Sequence, residues 1–166
     1  MSSIISAASR ADTGAKRRLV HTMPEPLLTY RGTVYPWHCD HVGHMNVMWY
    51  VGKFDEATWQ MFAAIGLTPA FLSENHMVIA AVRQEIVYRH ELFPGDLISI
   101  RTAVLDIKTL RLRFYHEMVK DESGVVAAAT VITGVLLDSG TRKPTTFPPQ
   151  VMEMATTLTA QVTLLM

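Results

Sequence analysis

Ten consecutive residues hold most of the chemistry available to this chain: Trp37-His38-Cys39-Asp40-His41-Val42-Gly43-His44-Met45-Asn46. They bring a carboxylate, imidazoles, a thiol and an amide to the point where an extended segment gives way to a long amphipathic helix. The first N–H groups of a helix have no partner inside it and carry partial positive charge. A carbonyl oxygen held there is polarised, and a carboxylate beside it can activate water toward the carbonyl carbon or attack that carbon directly. Those are the requirements of acyl transfer. The same residues admit plainer uses. Asp40 and Asn46 have the side chains of helix or loop caps, Gly43 suits an ordinary turn, and His44 can cap or pack. His38, Cys39, His41 and His44 are all potential metal ligands. They crowd one loop without a distant second pair or a zinc spacing, so no metal is expected. Nothing pairs Cys39 with a base that would make it a nucleophile.

The elements that must position this loop can be read from hydrophobic spacing. Val47, Tyr50, Val51, Phe54, Thr58, Met61, Phe62 and Ile65 recur at three- and four-residue intervals, which predicts one buried helical face. Lys53, Glu56 and Gln60 fall off that stripe, and Gly66 followed by Pro69 supplies a stop. Some twenty residues would make a rod of about 30 Å. Before the loop, Thr29 to Trp37 reads as extended and is closed by Pro36. After the helix, Met77 to Tyr88 is a mixed apolar stretch, and Phe93-Pro94-Gly95-Asp96 makes a turn. Leu97 to Leu105 then places Ile98, Ile100, Thr102 and Val104 on one side. Leu112, Phe114, His116 and Met118 alternate with Arg111, Arg113, Tyr115 and Glu117, a half-exposed strand. A turn at Asp121-Glu122-Ser123-Gly124 leads into Val125 to Leu137, which Asp138-Ser139-Gly140-Thr141 ends. Pro148 to Met166 is read as adding a short helix. The order strand, long helix, four strands predicts an α+β domain whose antiparallel sheet curls around one central helix. Residues 1 to 26, small, polar and basic up to Pro24-Glu25-Pro26, read as a flexible N-terminal arm, with residues 27 to 166 as a single domain.

Composition narrows the function classes. With 49% hydrophobic and 18% charged residues, the 166-residue chain has the make-up of a folded protein with a real core. Its formal net charge of zero removes any broad attraction to nucleic acid or to anionic membranes. A single cysteine excludes an intrachain disulfide framework. No apolar run approaches the roughly 20 residues of a membrane span, and no secretory-type segment opens the chain, so a cytoplasmic location is expected.

The loop motif and the order of elements together resemble the hotdog-fold thioesterases, specifically the 4-hydroxybenzoyl-CoA thioesterase-like group. The signature of that group runs approximately Asp-x-x-Gly-His-x-Asn, then Tyr, then Phe-x-x-Ala along the helix. This chain reads Asp40-His41-Val42-Gly43-His44-Met45-Asn46, then Tyr50, then Phe54-Asp55-Glu56-Ala57, and the likeness covers about residues 29 to 140. It implies a hotdog fold, a curved antiparallel sheet of about five strands wrapped around one long central helix. It implies an acyl-CoA thioesterase that releases a free carboxylic acid and coenzyme A, with no cofactor beyond the coenzyme A of the substrate. Asp40 is implied to be the catalytic carboxylate, as general base or nucleophile. Gly43, His44, Asn46, Val47 and Tyr50 are implied to bind substrate, with the N–H groups of Asn46 and Val47 holding the thioester oxygen. A site at a subunit interface is implied too, hence a homodimer or a dimer of dimers. Arg83, Arg89, Lys108, Arg111, Arg113, Arg142 and Lys143 are available for the nucleotide end of coenzyme A.

Two departures from the group matter. Val47 stands where many members carry a second Asn, a His or a Tyr, so only its backbone can contribute. His38 stands where many have Asp, and a neighbouring imidazole could shift the protonation of Asp40. Two other functions fit the same fold class, a non-catalytic acyl-CoA-binding module and an enoyl-thioester hydratase or dehydratase. The histidine motifs expected of the latter are not evident.

Overall fold

The computed structural model describes residues 25–160. The expected arm therefore lies outside the described residues apart from Glu25 and Pro26. The elements are β1 (Leu27–Thr33), α1 (Val47–Ala64), α2 (Pro69–Glu74), β2 (Met77–Tyr88), β3 (Leu97–Lys108), β4 (Arg111–Lys120), β5 (Val125–Asp138) and α3 (Pro149–Thr157). A single 3-10 turn, Pro36–His38, separates β1 from the loop that precedes α1. The strands form one antiparallel sheet in the order β1-β3-β4-β5-β2. Among the described residues no helix is long and apolar enough to cross a membrane.

The alternation read from the sequence decides which face of the sheet meets α1. Ile98, Ile100, Thr102 and Val104 of β3 are buried, as are Leu112, Phe114, His116 and Met118 of β4. Thr102 pairs across from His116, and Phe114 from Ile132. Near the start of α1, Phe54 and Ala57 pack with Ile98, Ile100 and Met118. Near its end, Met61, Phe62 and Ile65 pack with Val104, Phe114 and Ile132, and α3 closes that cluster with Val151 and Ala155. Burying a large apolar side chain in this way stabilises the fold by about 1.5–3 kcal/mol.

A polar chain runs through this apolar interior. The Thr58 hydroxyl donates to the Phe54 carbonyl at 2.8 Å, so its oxygen accepts from Nε2–H of His116, also at 2.8 Å. Nδ1 of a neutral His116 then accepts from the Thr102 hydroxyl at 2.6 Å. Thr102 in turn accepts from Thr29 at 2.7 Å, which lies 3.2 Å from the Ile100 carbonyl. This direction keeps the 2.8 Å bond from Thr58 to Phe54 in place of the 3.2 Å bond from Thr29 to Ile100, which favours this tautomer. His116 is completely buried, and burial pushes its pKa down to about 3. The imidazole thus joins α1 to β3 as a neutral polar link.

Several expectations need correction. β1 ends at Thr33 rather than Trp37, because Pro36 opens the 3-10 turn. α2 was not foreseen. Pro69, read as a stop signal, is also the first residue of this short helix, and Thr68 caps it by accepting from Phe71 N–H at 3.1 Å. Lys53, expected off the buried stripe, is buried, with its ammonium donating to the Tyr30 hydroxyl at 2.9 Å and lying over the Tyr30 ring. Val47 and Val51, expected on the stripe, are 56% and 40% exposed. Tyr115 faces away from α1 as expected, yet is buried among Ala129, Val131 and Leu105.

His116 gives the fold a pH dependence of known sign. Its proton affinity is lower in the folded than in the unfolded chain, so between pH 6.5 and about 3 the unfolded chain binds more protons. Stability therefore falls as pH drops through that window, by at most about 1.4 kcal/mol per pH unit from this group. His116→Gln should lower stability at pH 7 by about 1–3 kcal/mol. It should also flatten the loss between pH 7 and pH 5, as measured by urea unfolding of both proteins at each pH.

Candidate active site

The loop before α1 is closed by its own backbone. Cys39 and Met45 form an isolated antiparallel bridge. Inside it Gly43 N–H donates to the Asp40 carbonyl at 3.0 Å, and Asp40 N–H to the His44 carbonyl at 3.3 Å. Gly43 has φ of +96°, a conformation that L side chains rarely adopt. A Cβ there would meet nothing within 4 Å, so backbone conformation, and no close approach of another group, calls for glycine.

Asp40 is held at both oxygens. Oδ1 accepts from Val42 N–H at 2.9 Å, and Oδ2 accepts from the Asn46 side-chain N–H at 2.7 Å. The other end of the Asn46 amide caps α1, its Oδ1 accepting from Met48 N–H at 3.0 Å. One side chain thus fastens the carboxylate to the helix N-terminus. The hydrogen bonds from Asn46 and then Val42 hold the Asp40 carboxyl below the usual carboxylate range. Partial desolvation opposes them, and the nearby His41 and His44 assist. Asp40 is therefore an anion at neutral pH.

Two backbone donors were candidates to hold a carbonyl oxygen, and the structure separates them. Asn46 N–H is occupied, donating to the His38 carbonyl at 2.9 Å. Val47 N–H, the first of α1, has no partner among the described residues. Val47 as a residue is exposed.

The histidines go elsewhere. His38 is buried, with Nδ1 accepting from Tyr35 N–H at 3.1 Å and the ring against Trp49. Burial, and then the charge of Lys53, lower its pKa. It faces the interior and is not the neighbour that tunes Asp40. His44 makes no hydrogen bond to Asp40. Its Nε2 lies 3.7 Å from the Glu91 carboxylate and its Nδ1 3.4 Å from the Met45 carbonyl. Among the described residues no three His, Cys, Asp or Glu side chains are grouped as ligands of a metal ion.

Tyr50 and Val47 line a cavity of about 200 Å³ together with His44, Tyr88, Arg89 and Glu91. The Tyr50 hydroxyl donates to the His90 carbonyl at 3.3 Å, and its ring meets Tyr88 edge-on at 5.2 Å. Burial pushes the Tyr50 pKa up to about 12, so it serves as a neutral wall. Of the cations considered for coenzyme A, Arg89 lines this cavity. Arg83 pairs with Glu85, and Arg111 and Arg113 pair with Asp106. Tyr88 and Glu91 were not anticipated, since they lie some forty residues from the motif and carry no local pattern. A second cavity of about 130 Å³ follows farther along the same seam, between α1 and β2, lined in part by Val51, Asp55, Trp59, Ile79 and Gln84.

Comparison with known proteins adds a family and a fold. A family model described as the thioesterase-like superfamily matches residues 34–154. A betainyl-CoA thioesterase from Pseudomonas aeruginosa is 27% identical over 106 residues, covering 64% of this chain and 67% of that protein. An L-carnitine dehydrogenase/betainyl-CoA thioesterase from Agrobacterium fabrum is 24% identical over 136 residues, 82% of this chain but only 28% of that protein. A hypothetical protein from Staphylococcus aureus, solved in complex with CoA, superposes with a TM-score of 0.77 at 19% identity, covering 86% of this chain and 92% of its own.

The shared role of Asn46 has a direct test. Asn46→Ala should raise the Asp40 carboxyl pKa toward its ordinary 3.8, followed by NMR titration of the carboxyl carbon. The same change should lower stability by about 1 kcal/mol through loss of the cap.

Proposed function

The chain belongs to the thioesterase-like superfamily and is a thioester hydrolase, and from that premise we propose that it hydrolyses acyl-CoA with Asp40 as the catalytic carboxylate. The observation that carries this reading is the Asn46 amide, which holds the Asp40 anion beside a helix N-terminus whose first N–H, that of Val47, is open. An acyl-CoA substrate is supported by the betainyl-CoA thioesterases among the relatives and by the CoA-bound structural neighbour.

In this reading the thioester oxygen accepts from Val47 N–H, and the partial charge of the α1 N-terminus polarises the carbonyl. The Asp40 carboxylate takes a proton from water as hydroxide adds to the carbonyl carbon, or adds to that carbon itself. The negative charge that gathers on the oxygen is held by the same N–H. Collapse of the adduct breaks the C–S bond and expels coenzyme A as thiolate, which takes up the proton. A thiolate leaves readily, so no further acid is needed. If Asp40 attacks, water then cleaves the resulting anhydride, which restores the carboxylate and releases the proton that the thiolate takes up. Gly43 shapes the loop that carries Asp40, while His44 and Tyr50 wall the substrate cavity. Arg89, which lines the same cavity, would meet the coenzyme A arm.

The reading extends to the hotdog arrangement, with the sheet curved about α1, supported by the burial of Phe54, Ala57 and Met61 against the sheet. It also includes a second copy of the chain. β2 is a 12-residue edge strand exposed from Ala81 to Glu85, bonded on one side to β5. A long exposed edge is a template for pairing with another strand, and α1 and β2 together border the two cavities along the seam. A partner paired at β2 would close the open side of the substrate channel.

Asp40→Asn should lower kcat by about 10²–10⁴-fold while circular dichroism and acyl-CoA affinity stay close to those of the native protein. Thiol release from a panel of acyl-CoAs is the measurement, and undiminished turnover would sink the assignment. Loss of enoyl absorbance without thiol release would indicate a hydratase instead. The acid limb of kcat/KM should lie below the ordinary carboxylate value, because the base is lost only when Asp40 takes up a proton. Asn46→Ala should move that limb to higher pH.

A further inference from the structure

The second cavity along the α1–β2 seam has an uneven lining. Phe62, Phe114 and Ile132 make its floor apolar, and Asp55 is the one charged residue among those that line it. The Asp55 carboxylate has no hydrogen-bond or ion-pair partner among the described residues. Val47, Val51, Asp55 and Trp59 are spaced by four, so they follow one face of α1 from the open N–H toward this cavity. Trp59 is 42% exposed, and a helical side chain leans back over the turn that precedes it, here the turn of Asp55.

Asp55 is exposed, and a neutral acyl chain lying beside its carboxylate would displace water and return nothing for it. A cationic group would return a Coulomb attraction to Asp55 and a cation–π contact with the Trp59 ring. Building on the hydrolase reading above, we infer that this cavity selects acyl groups bearing a positively charged nitrogen, with Asp55 and Trp59 as the specificity-determining residues.

Distance sets where that nitrogen must sit. Eight residues of helix separate Val47 from Asp55, a rise of about 12 Å. The Asp55 side chain leans back toward the N-terminus, and a cation stands about 4 Å from the carboxylate. The carbonyl itself stands off the N-terminal end of the helix, so the nitrogen belongs at least about 5 Å from the thioester carbon. A betainyl nitrogen, one carbon beyond the carbonyl, reaches only about 2.5 Å. A 4-(trimethylammonio)butyryl group spans about 5 Å and meets the requirement.

The test uses coenzyme A thioesters in matched pairs, with thiol release as one readout. 4-(Trimethylammonio)butyryl-CoA is compared with its neutral isostere 5,5-dimethylhexanoyl-CoA, and betainyl-CoA with 3,3-dimethylbutanoyl-CoA. Binding of all four to the Asp40→Asn protein is the second readout, independent of turnover. The longer cation should exceed its isostere by about tenfold in kcat/KM and in affinity, and by more than the betainyl pair differs. Asp55→Asn should bring the longer pair close to parity, lowering the cation and raising the isostere, and Trp59→Leu should narrow the gap. Parity in the native protein, or a preference that survives Asp55→Asn, overturns the inference. So does a larger preference within the betainyl pair. Thiol release without a cation preference leaves the hydrolase reading standing and removes this one. A binding preference without thiol release does the reverse.

Discussion

A single amide group organises the candidate site. Asn46 donates to Asp40 with one atom and accepts from Met48 N–H with the other. The position of the carboxylate is therefore tied to the position of the helix. Two hydrogen bonds keep Asp40 ionised, and they also fix which way its remaining lone pairs face. Because the Asn46 side chain does the capping and its backbone N–H is spent on His38, the first donor of α1 is left to Val47. A charged group in the loop and an open donor at the helix end are thus linked through one side chain. Preorganisation of this kind lets electrostatic stabilisation act without a reorganisation cost during reaction.

That link is only as well placed as α1 is, and α1 is placed by more than apolar packing. Hydrophobic contact is non-directional and would tolerate some rotation or sliding of the helix on the sheet. The Thr58–His116–Thr102 chain would not, because each hydrogen bond needs its partner within a few tenths of an ångström. Lys53 adds a second directional tie, to Tyr30 of β1 on the other flank of the helix. Both are costly if broken, since a buried polar group left unpaired loses its hydration for no return. We read these buried polar links as setting the rotation of α1, while the apolar clusters supply most of the stability.

The rotation so chosen turns Val47, Val51, Asp55 and Trp59 toward β2 and leaves them partly uncovered. A helix of this composition could bury its valines and expose something else. Here the exposed stripe coincides with the seam that begins at the open N–H and ends among aromatic side chains. The cost of leaving apolar groups in water is modest for each residue, and any group bound along the seam would recover it.

Much of this was legible before any coordinates. The three- and four-residue spacing gave α1 to within a residue, and alternation in β3 and β4 gave the inward faces, because both periods follow from local backbone geometry. The loop motif singled out Asp40, Gly43 and Asn46 because their side chains and backbone act within a few residues of one another. Errors came where tertiary contact overruled a local rule. Lys53 is buried because Tyr30 happens to face it, and His38 turns inward because Trp49 covers it. The sequence by itself determined the long helix, the order of the strands and the inward faces of β3 and β4, all of which rest on short-range periodicity. Only the tertiary structure decided that Tyr88 and Glu91 join the cavity beside Val47, and that Asp55 and Trp59 line a second one with Ile79 and Gln84 of β2. Those placements depend on how a helix and an edge strand distant in sequence are brought side by side, which no local pattern encodes.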